Sequence, residues 1–366
     1  MKRIAALLLA LALALPLAAC GGEAGETDSL NVTARISGMD PEATVMTVDG
    51  TEVSAEFFLY WVLALTNNYA SLYGEELADS QGRIDWERES EDGATLREAL
   101  MEEITNTVIL YITIENLAES YGVTLSDSSE AALADSREEY IAQLGSQEAY
   151  EEALGTSGLT PALNERLSRD SMLLYEMQRE ACREGSRLYI DDDVLYQYEG
   201  ITPDTILADH ILLLTGEDEA ENQAAYAQME EILAQLDATD PADLSAMFFS
   251  LGNLYSEDTG RAYYPYGYPI TRDSSYAQSF KDAAFALEEN QYSGIVESEF
   301  GYHIVMRRPL REYVAADYIS GMLTAAMDRA EVTYTDLYES FDPAAFQEEY
   351  LALQAREAEG TPETET

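Results

Sequence analysis

The short runs "TVMTV" and "TEV", apolar residues set among threonines and a glutamate, read as two strands separated by Asp49-Gly50, a pair suited to the positive φ angles of a tight hairpin turn. Ser54 then offers an N-cap for a helix through "AEFFLYWVLALTNNYASLY". Leu96, Leu100, Ile104, Val108 and Ile112 recur every fourth residue within 94–121, one apolar stripe that Gly122 ends. Helices are also predicted over 126–144, over 147–154 and, from Thr160-Pro161, along Leu163, Leu167, Leu174 and Ala181. Asp191-Asp192-Asp193 reads as the acidic opening of a helix, favoured by its dipole, rather than as a cation site.

The period changes near residue 204. "TILADHILLL" reads as a strand, "DEAENQAAYAQMEEILAQL" and "PADLSAMFFSLGNLY" as helices, followed by a loop rich in Tyr, Pro and Gly, a helix over 274–287, and two strands around "SGIVESEFGYHIVMRR". Helical periodicity returns over 314–329 and 343–356. The fold class is α+β: a mainly helical domain, 44–203, completed by helices in 310–357, with a small antiparallel α+β domain inserted at 204–309. Residues 358–366 read as a disordered acidic tail.

The N-terminus changes the picture. Lys2 and Arg3 precede an apolar run, Ile4 to Ala19, too short to span a bilayer, so residues 1–19 are predicted to be a signal peptide. Leu17-Ala18-Ala19-Cys20 resembles a lipobox, which implies lipidation of Cys20, anchoring to the bacterial cell membrane and an extracytoplasmic location. Residues 20–43, poor in apolar side chains, are predicted to be a flexible tether. Cys182 would then stand alone, with no disulfide partner and no ligand set around it.

Seventy acidic against twenty basic residues leave a net charge of −50, which repels phosphate backbones and excludes nucleic acid as a partner while tolerating basic or apolar segments. No phosphate-binding loop, dinucleotide fingerprint, H-E-x-x-H, C-x-x-C or G-x-S-x-G is present, so no cofactor and no metal are expected. What remains is the two histidines, His210 and His303, each inside an apolar strand at opposite ends of the α+β stretch. If those strands are neighbours, one neutral imidazole can donate to the other.

Residues 205–309 resemble a parvulin-type peptidyl-prolyl cis/trans isomerase domain. "ADHILL" is similar to its opening strand, "FFSLGNLYSED" to its apolar helix ending in Y-S-x-D, and "SFKDAAFALEENQYSGIVESEFGYHIVMR" to its closing stretch. With the lipobox, the helical flanks and the Val48–Val53 hairpin, the chain resembles the PrsA-like foldase lipoproteins, whose helical part is similar to the SurA chaperone domain. The resemblance implies catalytic roles for His210, Asp258 and His303, and a proline pocket at Tyr276, Phe280 and Tyr266, with Tyr276 where the family usually has Met. It implies proline-containing unfolded secreted proteins as partners, isomerised and held on the helical domain. The loop after Asp258 departs from the family's G-G-D-L-G: Tyr264-Pro265-Tyr266-Gly267 keeps only the last glycine. That departure favours a non-catalytic holdase as the alternative, ahead of a solute-binding lipoprotein, which would need two α/β lobes.

Overall fold

The computed structural model describes residues 32–89, 93–241 and 243–358. The signal peptide, Cys20, the first part of the tether and the acidic tail lie outside the described residues. In chain order the elements are α1 (Val32–Ser37), β1 (Thr44–Val48), β2 (Thr51–Ser54), α2 (Ala55–Tyr73), α3 (Leu96–Tyr121), α4 (Asp127–Leu144), α5 (Gln147–Thr156), α6 (Pro161–Cys182) and α7 (Asp192–Leu195). There follow β3 (Ile206–Leu214), α8 (Glu219–Asp237), α9 (Leu244–Tyr255), β4 (Tyr268–Ile270), α10 (Gln278–Ala286), β5 (Gln291–Glu297), β6 (Gly301–Arg308), α11 (Leu310–Met327), β7 (Val332–Tyr334), α12 (Asp336–Glu339) and α13 (Pro343–Ala358). The chain forms two compact units, one of residues up to Glu176 and from Ser320 onwards, the other Met177–Ile319. Among the described residues no helix is long and apolar enough to cross a membrane.

In the first unit α2 and α3 are set by their ends. Ser54 Oγ accepts from Phe57 N, Thr95 and Glu98 cap each other reciprocally at the start of α3, and Gly122 closes it in a left-handed conformation. Their apolar faces bury Phe57, Phe58, Trp61, Leu100, Ile104, Val108 and Ile112 in one core with Phe346 and Tyr350 of α13. Sequence segments far apart meet in this unit because β7 adds to the hairpin, giving the order β2-β1-β7 with Met46 opposite Tyr334. The tether ends earlier than residue 43. Val32, Thr33 and Ala34 of α1 are buried, and Ile36, Met39 and Ala43 pack on the same core. A few well-spaced apolar side chains dock this segment although its overall composition is polar.

The second unit is wider than 204–309. Leu188, Ile190, Leu195 and Ile201 before it, and Val314, Ala315 and Ile319 after it, are buried. Arg311 joins the two flanks, donating to the Ile190 carbonyl at 2.7 Å and pairing with Asp192 at 2.6 Å. Asp191 caps α7 by accepting from Val194 N. At the centre is an antiparallel sheet of order β4-β3-β6-β5. Ile211, Leu213, Ile304 and Met306 face α8 and α9, packing on Met229, Ile232, Phe248 and Leu251. The alternate positions Ile206, Ala208 and Val305 face α10, with Phe280 and Ala284. Two corrections concern local elements: β4 is a strand inside the expected Tyr/Pro/Gly loop, and α10 starts at Gln278 rather than 274. Residues 271–274 instead form a turn in which Ser274 Oγ accepts from Thr271 N and Lys281 Nζ binds the Arg272 and Ser274 carbonyls.

Candidate active site on the four-stranded sheet

Antiparallel pairing of β3 with β6 sets His210 opposite Val305 and Leu212 opposite His303, so both histidines lie on the α10 face as diagonal neighbours. Their Nδ1 atoms are 3.0 Å apart, and the rings stack 5.2 Å apart at 20°. Gly301 makes the register possible: its φ is +151°, and a Cβ there would collide with the Leu213 carbonyl.

Asp258 reaches His210 because the chain after α9 replaces β4 along the edge of β3. β4 pairs only with residues 206–208; beyond them Glu257 N donates to the Leu212 carbonyl at 2.8 Å, and Leu212 N donates to Ser256 Oγ at 3.1 Å. Asp258 Oδ2 then lies 2.9 Å from His210 Nε2 and accepts from the Tyr268 hydroxyl at 2.6 Å, while Oδ1 accepts from Gly260 N at 3.0 Å. At the other end Ser298 Oγ is 2.6 Å from His303 Nε2.

One proton assignment satisfies the whole row. Ionised Asp258 accepts from Tyr268 and from His210 Nε2–H; His210 Nδ1 accepts from His303 Nδ1–H; His303 Nε2 accepts from Ser298. The electrostatics agree. Burial pushes the Asp258 carboxyl up, but hydrogen bonds from His210, Tyr268 and Gly260 outweigh it and hold the group well below the usual carboxylate range. Burial, reinforced by neighbouring His210, lowers His303 to about 4, so its ring is neutral at physiological pH. Tyr268 is raised by burial and by donating to Asp258, so it stays protonated.

Aromatic rings cover this row. Phe280 stands 5.1 Å from His210 and 6.1 Å from His303, Tyr268 5.8 Å from His210, and Tyr276 5.8 Å from Phe280. Phe280 is only 2% exposed and forms the floor; Tyr276, 40% exposed, presents its ring to solvent. Tyr266 does not join them. It stacks on Phe249 of α9 at 5.6 Å and lies under the Arg308 guanidinium, which belongs to the opposite face of the sheet. Its place at the slot is taken by Tyr268, with Tyr264 5.0 Å beyond.

Four participants escaped the sequence reading: Ser256, Tyr268, Ser298 and Arg261. The two serines stand in the Y-S-x-D pattern and in the closing stretch "SGIVESEFGYHIVMR", so their positions were visible without a role. Arg261 belongs to the divergent loop. Buried, it donates through Nη1 to Asp209 Oδ1 at 2.6 Å and to the His210 carbonyl at 3.1 Å, tying the turn after Asp258 to β3. Gly252 leaves room for it, since a Cβ there would come within 2.6 Å of the guanidinium. Gly267, at φ +105°, is required for a similar reason: its Cβ would come within 2.7 Å of the Ala208 carbonyl.

A family profile described as "Rotamase: PPIC-type PPIASE domain" matches residues 210–308. The foldase protein PrsA of Oceanobacillus iheyensis is 26% identical over 229 residues, 61% of this chain and 68% of its own length. Foldase protein PrsA of Clostridium botulinum (strain Loch Maree / Type A3) is 28% identical over 169 residues, and the match spans 45% of this chain and only 46% of that relative. The crystal structure of PrsA from Bacillus subtilis covers 77% of this chain and 95% of its own at 20% identity, with a TM-score of 0.26, too low to bear on the assignment. Residues 210–308 thus carry a PPIC-type peptidyl-prolyl isomerase domain on the sheet that brings His210, Asp258 and His303 together, and the chain is similar to PrsA foldase proteins.

Proposed function

We propose that this chain is a membrane-anchored extracytoplasmic foldase that rotates X-Pro bonds in unfolded secreted proteins without covalent chemistry and holds those clients on its helical unit. The observation that carries the catalytic part is the uninterrupted hydrogen-bonded row Tyr268–Asp258–His210–His303–Ser298 beneath an aromatic floor. Prolyl rotation crosses about 18–20 kcal/mol because amide resonance must be lost. A seat that keeps water off the twisted amide favours it over the planar ground state, and each ~1.4 kcal/mol of that preference is about tenfold in rate. In this reading the histidines move no proton. They hold the floor rigid and apolar, while ionised Asp258 fixes their tautomers and sets the local field. The proline ring rests against Tyr276 with Phe280 behind it.

A second reading is favoured by the same aromatic rings. Phe280 is almost fully covered and Tyr264 leans on Tyr268 at 39°, which narrows the slot and suits a holdase without catalysis. Cis/trans exchange of a proline tetrapeptide separates the two. Acceleration by the intact protein, reduced at least tenfold in Phe280→Leu and retained in Tyr276→Met, is expected of the isomerase; no acceleration by the wild type leaves the holdase.

A further inference from the structure

The helical unit holds a second concentration of chemistry. A cleft of about 420 Å³ is lined by Glu115 of α3 and by Ala162, Glu165, Arg166, Arg169, Asp170 and Leu173 of α6. Arg166 grips Glu115 bidentately, Nε at 2.7 Å and Nη2 at 2.9 Å, and its guanidinium lies 4.3 Å over the Phe57 ring. Glu56 of α2 and Asp170 also act on this guanidinium. Arg169, on the same wall of the cleft, pairs with Glu130 of α4 at 2.8 Å and also acts on Asp170. Three carboxylates therefore share one guanidinium, and the deficit falls on Asp170: it is 2% exposed, and no protein N–H or O–H reaches its Oδ2.

A buried carboxyl in that position has two ways to escape an unpaired charge: keep a proton, or receive a cation. Burial and the neighbouring Glu115 carboxylate raise Asp170 to about 8, against the pull of Arg166 and Arg169. Asp170 therefore keeps its proton beside the Glu115 carboxylate. The phenols on the facing helices, Tyr111 and Tyr60, are themselves raised by burial and supply no positive charge. Glu115, with 28% of its side chain exposed, is the member of the pair that a ligand touches.

We propose that this cleft binds the ammonium or guanidinium of a lysine or arginine in an unfolded polypeptide, exchanging the Asp170 proton for that charge. Ala162 and Leu173 give apolar wall for the side-chain stem. The net charge of −50 draws basic segments towards the surface, but it is this cleft that selects for them. The inference rests on the client-holding half of the proposed function and names the client group it recognises.

The test is calorimetric titration of the whole protein with a Gly/Ser peptide carrying Leu-Lys-Leu, against the same peptide with norleucine for lysine, in phosphate and in Tris. The lysine peptide is expected to bind at least tenfold tighter than the norleucine one and to release close to one proton per site at pH 7. Its affinity should rise up to tenfold per pH unit below pH 8 and level off above it. Asp170→Asn should abolish proton release and flatten the pH dependence. Because proton release is read on the wild type, a variant that fails to fold does not blunt the test. Equal affinity of the two peptides, or lysine binding with no proton released, overturns the inference. Suppression of client aggregation measured alongside separates it from the holding role, which stands or falls on that assay alone.

Discussion

At the scale of single residues the site turns on a histidine kept neutral. His303 is buried and lowered to about 4, whereas in the unfolded chain it titrates near 6.5. Between those values the unfolded state takes up a proton that the folded state refuses, so stability falls as pH drops from about 7 towards 4, by up to about 3 kcal/mol. Asp258 does not blur this window. Its folded value lies below its unfolded one, so what it contributes is lost only below the usual carboxylate range. Asp170, raised to about 8 in the other unit, acts with opposite sign: its burial costs stability as pH rises from 4 to 8. A global melting curve would mix the two. The expected result is that amide exchange of β6 speeds up as pH falls from 7 to 5, after correction for intrinsic rates, and that the His303 ring resonances titrate with a midpoint near 4. A midpoint above 6 would mean that burial does not disfavour the charged ring and that the row of donors and acceptors is wrong.

At the scale of elements, legibility followed periodicity. The hairpin, α2, α3 and the β3 and β5–β6 stretches were readable because apolar spacing and caps such as Ser54, Thr95 and Gly122 are local signals. β7 and β4, of three residues each, carry no pattern of their own and exist because Val48 and Ala208 offer a free edge opposite Val332 and Tyr268. The histidine pair could be suspected from two strands, but Asp258's supporting loop could not, since of the family's glycines only Gly267 is kept and Arg261 braces the turn from inside. Arg261→Gln tests that substitution of one device by another. It leaves Asp209, 1% exposed, with only Arg308 at 3.6 Å as a charged partner. Removing one member of a buried pair costs about 3–5 kcal/mol, and the second arginine places the expectation at the low end. Amides of 256–262 should lose exchange protection while those of α8 keep theirs, and prolyl isomerase turnover should fall with the loop. Unchanged protection in 256–262 would show that the Leu212 hydrogen bonds alone hold the segment.

For the molecule as a whole the governing quantity is charge. Seventy acidic residues against twenty basic ones allow at most twenty one-to-one pairs, so fifty carboxylates have no cation of their own. Several of the pairs that do form, Arg83–Glu348, Arg97–Asp342, Arg97–Glu87 and Arg169–Glu130, are exposed. Each such pair is worth about 0–1 kcal/mol, so salt has little attraction to screen. Repulsion among the unpaired carboxylates acts over longer distances, and a Debye length that shrinks from about 30 Å at 0.01 M to about 8 Å at 0.15 M removes most of it. Salt therefore stabilises this protein where it weakens one held by surface ion pairs. Thermal unfolding at pH 7.5 should shift upward by several degrees between 10 and 150 mM NaCl and change little beyond, with the same shift in KCl because no specific ion is involved. A downward shift over that range would mean that the exposed pairs outweigh the repulsion. The same screening should weaken capture of basic peptides by the helical unit, so one salt series reads opposite signs for folding and for binding.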